Sequence, residues 1–334
     1  MSEYSQPPVT MTMTDSTPFR QTHPALTRPP EFSDFWNETL QQLARQPSHV
    51  QVKHSETRAD GLTLHRLSYQ SLGGAVIQAY FLSWDAHPQR PLVIHTHGYV
   101  GQCDEMWQWA ERGLHVFGFD IRGMGRSRAA LPDISAHGYI LTEIESQAHS
   151  ILRGDVCDYV RAHEVARDLL VGQPERIIFY GHSFAGALSL MAAAITQIPD
   201  LLVSAVPTLG WAEGRRRLVQ NGSGQEINQY LASYPEQTAQ IMQVLSYFDT
   251  MNFADLLTCP VLVGLGQRDS IVPAATVYAI INHFKCRHEI REYPVSHSTE
   301  PEEQLWSQFE AEWLGLAING VPDTFGDNKL KVFE

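Results

Sequence analysis

Residues 177–187 read IIFYGHSFAGA, an apolar run that ends in Gly181 and passes through Ser183 into a series of small residues. A short apolar run bounded by glycine is typical of a buried strand. A serine at a strand-to-helix turn takes a strained backbone conformation and therefore needs small neighbours. Gly181 supplies one, and Ala185 occupies the position where glycine is commoner. We interpret Ser183 as a nucleophile; a serine that only caps its own helix is the alternative.

A serine hydroxyl is a weak nucleophile that needs a base, and in folds with this turn the chain order is serine, acid, histidine. Asp269 follows the apolar run 261–266, and His297 lies in the loop after the predicted strand 288–293. His288 begins that strand and so lies at its opposite end. We therefore predict a catalytic triad in which Asp269 orients His297 and His297 takes the Ser183 proton. A helix-capping aspartate and a surface histidine are the alternatives.

Backbone N–H groups are expected to stabilise the oxyanion that forms when the serine attacks. One donor follows the nucleophile, at Phe184, and the other is expected in the loop after an earlier strand, at Tyr99. His95 and His97 form an H-x-H pair, but no third ligand follows at a metal-like spacing. The sequence also lacks a P-loop and a dinucleotide fingerprint. No metal and no cofactor are predicted.

Apolar runs alternate with helical patterns along most of the chain, which predicts an α/β fold. Mostly apolar strands separated by helices indicate a mostly parallel central sheet covered by helices on both faces. Together with the serine turn and the chain order of the triad, this sheet predicts the α/β-hydrolase fold. Shorter alternating segments come first and predict an antiparallel N-terminal lead-in. The expected parallel strands are 91–95, 115–120, 176–180, 201–207, 260–266 and 288–293, and the lead-in strands are 50–54, 62–68 and 75–84. The clearest helices are 32–44, 155–170, 185–196, 274–284 and 302–314.

The chain is expected to form a single α/β-hydrolase domain at 31–334. Residues 1–30 are rich in Ser, Thr and Pro and are predicted to be an extension that is disordered or wraps the surface. Two stretches interrupt the alternation, at 126–153 and 211–252. Both are expected to be insertions at the C-terminal edge of the sheet, where such folds place their sites.

Composition narrows the function and the location. The 334 residues carry a net charge of −13, which opposes nucleic acid and anionic membrane partners but not a small neutral substrate. The four cysteines are scattered and form no CxxC pair, which favours free thiols in a reducing compartment. No signal peptide and no stretch long enough to span a bilayer are visible. A cytoplasmic location is the interpretation that fits these features.

Several motifs outside the triad resemble the family of acetyl xylan esterases and cephalosporin-C deacetylases, carbohydrate esterase family seven. The resemblance covers about residues 32–314, and its most specific block is SYFDTMNFA at 246–254. It implies hydrolysis of short acyl esters, above all acetyl groups on sugars and related small molecules. It also implies a homo-oligomer, a ring-shaped hexamer. The other matching motifs are PEFSDFW at 30–36, HGY at 97–99, DIRG at 120–123 and GQRD at 266–269.

The chain departs from the family pattern beside the triad. Phe184 and Met124 stand where the family has glutamine, and Ser298 stands where it has glutamate. We therefore predict a more apolar substrate pocket, with Tyr99, Met124 and Phe184 as its candidate lining.

The predicted function is a serine carboxylic ester hydrolase that removes short acyl (acetyl) groups from small saccharides or related small molecules through an acyl-enzyme. Two alternatives stay open. One is an α/β-hydrolase with a different substrate, such as another carboxylester, a lactone or a peptide. The other is a non-catalytic hydrolase-like binding protein, although such proteins usually lose a member of the triad.

Overall fold

A computed structural model describes residues 17–131, 133–297, 303–327 and 329–333 of the chain. The described residues form one ten-stranded sheet with the strand order β1-β2-β3-β5-β4-β6-β7-β8-β9-β10. The strands are β1 (Gln51–Thr57), β2 (Leu62–Gln70), β3 (Val76–Trp84), β4 (Leu92–Thr96), β5 (His115–Phe119), β6 (Ile177–His182), β7 (Leu201–Ala205), β8 (Val261–Gly266), β9 (His288–Tyr293) and β10 (Leu330–Val332).

The pairing confirms a mostly parallel sheet with an antiparallel lead-in. Strands β1, β2, β3 and β5 pair antiparallel in that order, and every other neighbouring pair is parallel. Strands β4, β7 and β8 are buried at every residue, as expected for strands covered on both faces. The carboxyl ends of the parallel strands therefore meet along one edge, where their loops can converge.

Helices cover both faces of the sheet. Neighbouring residues of β4 point to opposite sides: Ile94 belongs to one apolar core and Val93 to the other. The first core contains residues of α2, α4, α5 and α9, and the second contains residues of α3 and α10. The helices are α1 (Thr17–Arg20), α2 (Phe32–Arg45), α3 (Trp107–Glu111), α4 (Ile151–Leu169), α5 (Phe184–Thr196), α6 (Ala212–Leu218), α7 (Gly222–Ser233), α8 (Thr238–Ser246), α9 (Ala274–Ile281) and α10 (Glu303–Asn319).

Several features differ from the sequence-based expectations. Strand β10 was not predicted; it has only three residues and pairs parallel with β9. Helix α3 was not predicted either. Helix α4 begins at Ile151, one turn before the expected residue 155, and burial of Ile151 and Leu152 accounts for the extra turn. Among the described helices, none has the length and apolar character that crossing a bilayer requires.

The described part of the N-terminal segment is bound along the surface. The Arg20 guanidinium donates to the fully buried Glu292 carboxylate at 3.1 Å. Further along, Arg28 donates to the Asn252 carbonyl at 2.7 Å, and the Thr27 N–H donates to the Asn252 side chain at 2.9 Å. Residues 1–16 lie outside the described residues. The motif around Asn252 thus holds this segment against the domain.

Helix α4 carries two buried carboxyl groups of different character. Asp158 pairs with Arg122 at 2.6 Å. Asp155 has no cation in hydrogen-bond contact, and burial raises its pKa well above the usual range. Tyr139 Oη lies 2.6 Å from Asp155 Oδ1 and 2.8 Å from the Arg122 carbonyl. One O–H cannot donate well to both, so a protonated Asp155 that donates to Tyr139 satisfies the geometry.

Candidate active site

Ser183 lies at the sharp turn between β6 and α5, at the carboxyl edge of the sheet. Its backbone has φ 59° and ψ −114°, a region that residues other than glycine rarely adopt. Its N–H donates to the Ala205 carbonyl on β7 at 2.9 Å, and its carbonyl accepts from the Thr208 N–H at 3.3 Å. These main-chain bonds hold the serine in the conformation that its own preference opposes.

The turn can form only because its neighbours are small. A Cβ atom at Gly181 would lie 2.0 Å from the Ala185 carbonyl oxygen on α5. A Cβ atom at Gly186 would lie 2.9 Å from the Ala205 carbonyl oxygen on β7. Ala185 itself is fully buried, so its methyl group is accommodated.

The structure brings the three predicted triad side chains together in series. His297 Nε2 lies 2.9 Å from Ser183 Oγ, and His297 Nδ1 lies 2.7 Å from Asp269 Oδ2. Ser183 and His297 are separated by 114 residues along the chain. Because both imidazole nitrogens are within hydrogen-bond reach, the ring can accept the serine proton while Asp269 holds its other N–H. Ser298, which follows His297, lies outside the described residues.

The Asp269 carboxylate is fixed by the main chain on its other oxygen. Asp269 Oδ1 accepts from the N–H groups of Ile271 at 2.8 Å and Val272 at 2.7 Å. The side chain is buried, with only Oδ2 left to face His297. This arrangement orients the carboxylate before any substrate binds.

The acid loop and the histidine loop are bound to each other. The Arg268 N–H donates to the Val295 carbonyl at 2.9 Å. A Cβ atom at Gly266 would lie 2.5 Å from the Ser296 carbonyl oxygen, so only glycine permits this approach. The GQRD motif at 266–269 therefore has a packing role at its glycine as well as an acid at its end.

The two residues that are predicted to supply the oxyanion donors contact each other through their side chains. Phe184 is the first residue of α5, where helix N–H groups have no partner within the helix and the helix dipole favours negative charge. Tyr99 lies in the loop after β4, and its ring packs edge-to-face on the Phe184 ring with a centroid separation of 5.6 Å. In the described part of the chain, neither backbone N–H donates to a protein acceptor. Both are therefore free to receive an oxyanion.

The rings of Tyr99, Phe184 and Tyr139 form an aromatic cluster. Phe184 is fully buried, Tyr99 is partly exposed, and Tyr139 contacts both rings at centroid separations of 6.4 and 6.0 Å. Met124 is buried in the same apolar cluster. Tyr139 could not be predicted as part of the site, because nothing in its own segment indicates that it reaches Phe184.

The H-x-H pair serves the architecture. The buried His95 lies 2.5 Å from Tyr80 Oη, and burial lowers its pKa to about 3. His97 Nδ1 lies 2.7 Å from the Gly98 carbonyl oxygen, and the Ile121 N–H donates to His97 Nε2 at 3.1 Å. Both His97 nitrogens are therefore used by the main chain, at the start of the loop that carries Tyr99. Among the described residues, no group of three potential ligands is placed to hold a metal ion.

His182 is a neighbour of the three side chains that was not predicted from the sequence. Its ring packs edge-to-face on the rings of His297 and Trp306, each at a centroid separation of 5.3 Å. Burial, and then the charge of His297, lower the His182 pKa to about 4. His182 is therefore uncharged near neutral pH and supports the His297 loop without competing for its proton.

Comparisons with known proteins identify the family of the chain. A family model described as acetyl xylan esterase (AXE1) matches residues 11–314. The acetyl esterase Axe7A of Xylanibacter ruminicola is 21% identical over 304 residues, which cover 85% of this chain and 67% of that protein.

Two solved structures share the fold over most of the chain. An acetyl xylan esterase from Paenibacillus sp. R4 superposes with a TM-score of 0.80 at 25% identity, covering 89% of this chain and 99% of that one. Acetyl xylan esterase 1 from Thermoanaerobacterium sp. JW/SL YS485 also gives a TM-score of 0.80, at 22% identity, covering 90% of this chain and 98% of that one.

Proposed function

Because the chain belongs to the acetyl xylan esterase family and is a carboxylic ester hydrolase, we propose that Ser183, His297 and Asp269 carry out its reaction on short acyl esters. The observation that carries the proposal is the unbroken series of contacts from Ser183 Oγ through His297 to Asp269, at 2.9 and 2.7 Å. The substrate class is acetyl groups on small saccharides or related small molecules. The names of the similar esterases and acetyl xylan esterases support it.

In the first half of the reaction, Ser183 Oγ attacks the ester carbonyl carbon while His297 Nε2 takes the hydroxyl proton. The carbonyl oxygen becomes an oxyanion that the N–H groups of Tyr99 and Phe184 stabilise. The C–O bond to the sugar then breaks, and His297 returns the proton to the leaving alcohol. In the second half, His297 activates water, which hydrolyses the acyl-enzyme and regenerates Ser183.

The proposal includes an apolar acyl pocket bounded by Tyr99, Met124 and Phe184. Phe184 and Tyr99 carry the proposed oxyanion donors on their backbones, and their rings contact each other at a centroid separation of 5.6 Å, so we expect these rings to bound the acyl group. The Phe184 ring is fully buried and packs against the Tyr139 ring, so we expect the proposed acyl pocket to have little room for a longer chain. We therefore expect the acetyl group to be preferred over longer acyl chains.

The proposal extends to cephalosporin C as a second acetyl ester, to a homo-hexameric assembly and to a cytoplasmic location. Family membership supports the first two. The location is supported by the free thiols of Cys103, Cys157, Cys259 and Cys286, which fit a reducing compartment. Light scattering coupled to gel filtration tests the assembly; a monomeric mass at working concentration would refute the hexamer.

A panel of p-nitrophenyl esters from acetate to octanoate, with acetylated xylo-oligosaccharides and cephalosporin C, tests the substrate. We expect the highest kcat/KM on acetate and measurable release of acetate from the saccharides. Activity that rises with chain length would refute the acetyl preference.

Variants test the triad itself. Ser183→Ala should lower kcat by about a millionfold, leaving the residual rate that binding and oxyanion stabilisation supply. Ser33→Ala, at an exposed position on α2, is the matched control and should turn over normally. A fluorophosphonate probe should label the wild type at Ser183. Absence of both labelling and turnover would favour a non-catalytic binding protein.

A further inference from the structure

The loop that carries Tyr99, residues 97–101, is called the oxyanion loop here. It contains a residue with a strained backbone conformation next to the proposed oxyanion site. Val100 has φ 57°, in the left-handed region, and its side chain is 75% exposed. A β-branched residue in this region is an outlier that persists only when surrounding contacts hold it there. Contacts within the loop hold this conformation on one side: His97 contacts the Gly98 carbonyl oxygen, and the Gly101 N–H donates to the same carbonyl at 3.1 Å.

The Tyr99 side chain holds the loop on the other side, through contacts with distant parts of the chain. Tyr99 Oη donates to Glu226 Oε2 at 2.5 Å and accepts from the Ile140 N–H at 3.4 Å. Glu226 lies on α7, within the 211–252 insertion, and is half-buried. The hydroxyl therefore joins the oxyanion loop to two segments that are distant along the chain.

Gly138 leaves room for the Glu226 carboxylate because it has no side chain. A Cβ atom at Gly138, whose φ is 132°, would lie 2.3 Å from Glu226 Oε2. Glycine at this position both permits the positive φ and admits the carboxylate. Burial raises the Glu226 pKa, while the hydrogen bond from Tyr99 opposes that rise. The carboxylate thus has a built place against the loop, even though it is partly desolvated.

We propose that Glu226 is a positioning residue which, by accepting the Tyr99 hydroxyl, fixes the oxyanion loop so that the Tyr99 N–H faces the reacting carbonyl. The proposal rests on the proposed function, because it assumes that this N–H receives the oxyanion. It also gives the 211–252 insertion a part in the reaction: α7 acts on the loop without supplying a group that touches the substrate.

Two truncations should give the same effect. Glu226→Ala and Tyr99→Phe each remove the contact and keep the Tyr99 N–H, so each should lower kcat about ten- to a hundredfold, less than outright loss of an oxyanion donor. KM should change little, because the oxyanion contact forms only in the transition state. The double variant should be no worse than either single variant. Glu226→Gln keeps an oxygen acceptor and should restore most of kcat.

A control and a strain test sharpen the result. Glu236→Ala removes an exposed carboxylate from the same insertion and should leave kcat unchanged. Asn tolerates the left-handed region better than valine does, so Val100→Asn should reduce the loss caused by Glu226→Ala. An undiminished loss in that background would overturn the part of the proposal that concerns strain.

Inhibitor binding separates positioning from general loosening of the structure. Phenylboronic acid forms a tetrahedral adduct with a nucleophilic serine, so its inhibition constant should rise about tenfold or more in Glu226→Ala. Inhibition by the ground-state product acetate should not change, and the melting temperature should fall by only a few degrees. If kcat and boronate inhibition stay within twofold of wild type while Ser183→Ala is inactive, Glu226 has no positioning role. If Ser183→Ala turns over normally, the proposed function itself fails.

Discussion

Replacing Asp269 by asparagine should exchange donor and acceptor in the hydrogen bond between residue 269 and His297 without moving either side chain. Asp269 Oδ1 accepts from two main-chain N–H groups, those of Ile271 and Val272. In Asp269→Asn the amide oxygen must stay on that side, because an NH2 group there would face two donors. The NH2 group then faces His297 Nδ1, which must become an acceptor. The imidazole proton moves to Nε2 and faces Ser183, so the ring can no longer take the serine proton.

The expected loss follows from this change of tautomer. A wrong-tautomer histidine lowers kcat by about ten-thousandfold, which corresponds to about 5.4 kcal/mol of transition-state stabilisation. Stability should change by only about 1 kcal/mol, because the two main-chain bonds to Oδ1 remain. Steady-state kinetics, urea denaturation and 15N NMR of the histidine ring nitrogens measure the three quantities. Asp323→Asn, at an exposed position, is the control for loss of a carboxylate.

Three results would contradict this reasoning. If Asp269→Asn keeps kcat within tenfold of wild type, the carboxylate does not set the tautomer. If kcat falls but the NMR spectrum shows the proton still on Nδ1 of His297, the loss has another cause. A large drop in stability would show that the two main-chain donors do not hold the amide as they hold the carboxylate.

Two further predictions concern burial and packing. Burial raises the Asp155 pKa, so the unfolded carboxyl ionises first as pH rises. The stability gain of Asp155→Asn in urea denaturation should therefore grow from about pH 4 towards 7, by at most about 1.4 kcal/mol per unit, and a pH-independent difference would contradict it. Gly181→Ala places a methyl group 2.0 Å from a helix carbonyl and should cost about 1–3 kcal/mol in thermal unfolding together with activity, whereas Gly315→Ala meets nothing within 4 Å and should be neutral or stabilising.

The proposed triad residues could be selected from the sequence because each follows the end of a predicted strand. Ser183, Asp269 and His297 each follow an apolar run, and the order of the three matches one known architecture. Parallel strands place such loops on one edge, so residues more than a hundred positions apart could be predicted to meet. The glycines of the turn could be identified for the same local reason.

The contacts that hold the site residues in place could not be predicted in the same way. The contact between Tyr99 and Glu226 joins residues 127 positions apart. It depends on how α7 packs over the loop, which no periodicity encodes. His182 occupies a position in the turn motif that accepts any residue, so its contact with His297 carries no sequence signal. Strand β10 is too short for its three residues to show alternation.

The SYFDTMNFA block at 246–254 illustrates a motif whose specificity is structural. Asp249 accepts from the N–H groups of Trp211 and Ala212, both at 2.8 Å, and so caps the start of α6. Asn252 holds the N-terminal segment through Thr27. The block therefore fixes the start of the insertion and the path of the N-terminal segment. The block is easy to recognise in a sequence because its polar side chains accept hydrogen bonds from main-chain N–H groups, a role that tolerates few substitutions.

The proposed oxyanion site depends on two strained residues that different parts of the molecule hold in place. Ser183 and Val100 both have positive φ, and such a conformation costs about 1–3 kcal/mol for a residue other than glycine. Main-chain bonds to the neighbouring strand and its following loop hold Ser183, so that support is as stable as the sheet. A half-buried side-chain contact with Glu226 holds the loop around Val100, and that support can be lost without unfolding. Substitutions around the loop should therefore reduce kcat with only a small loss of stability, whereas substitutions around the serine turn should reduce both kcat and stability strongly.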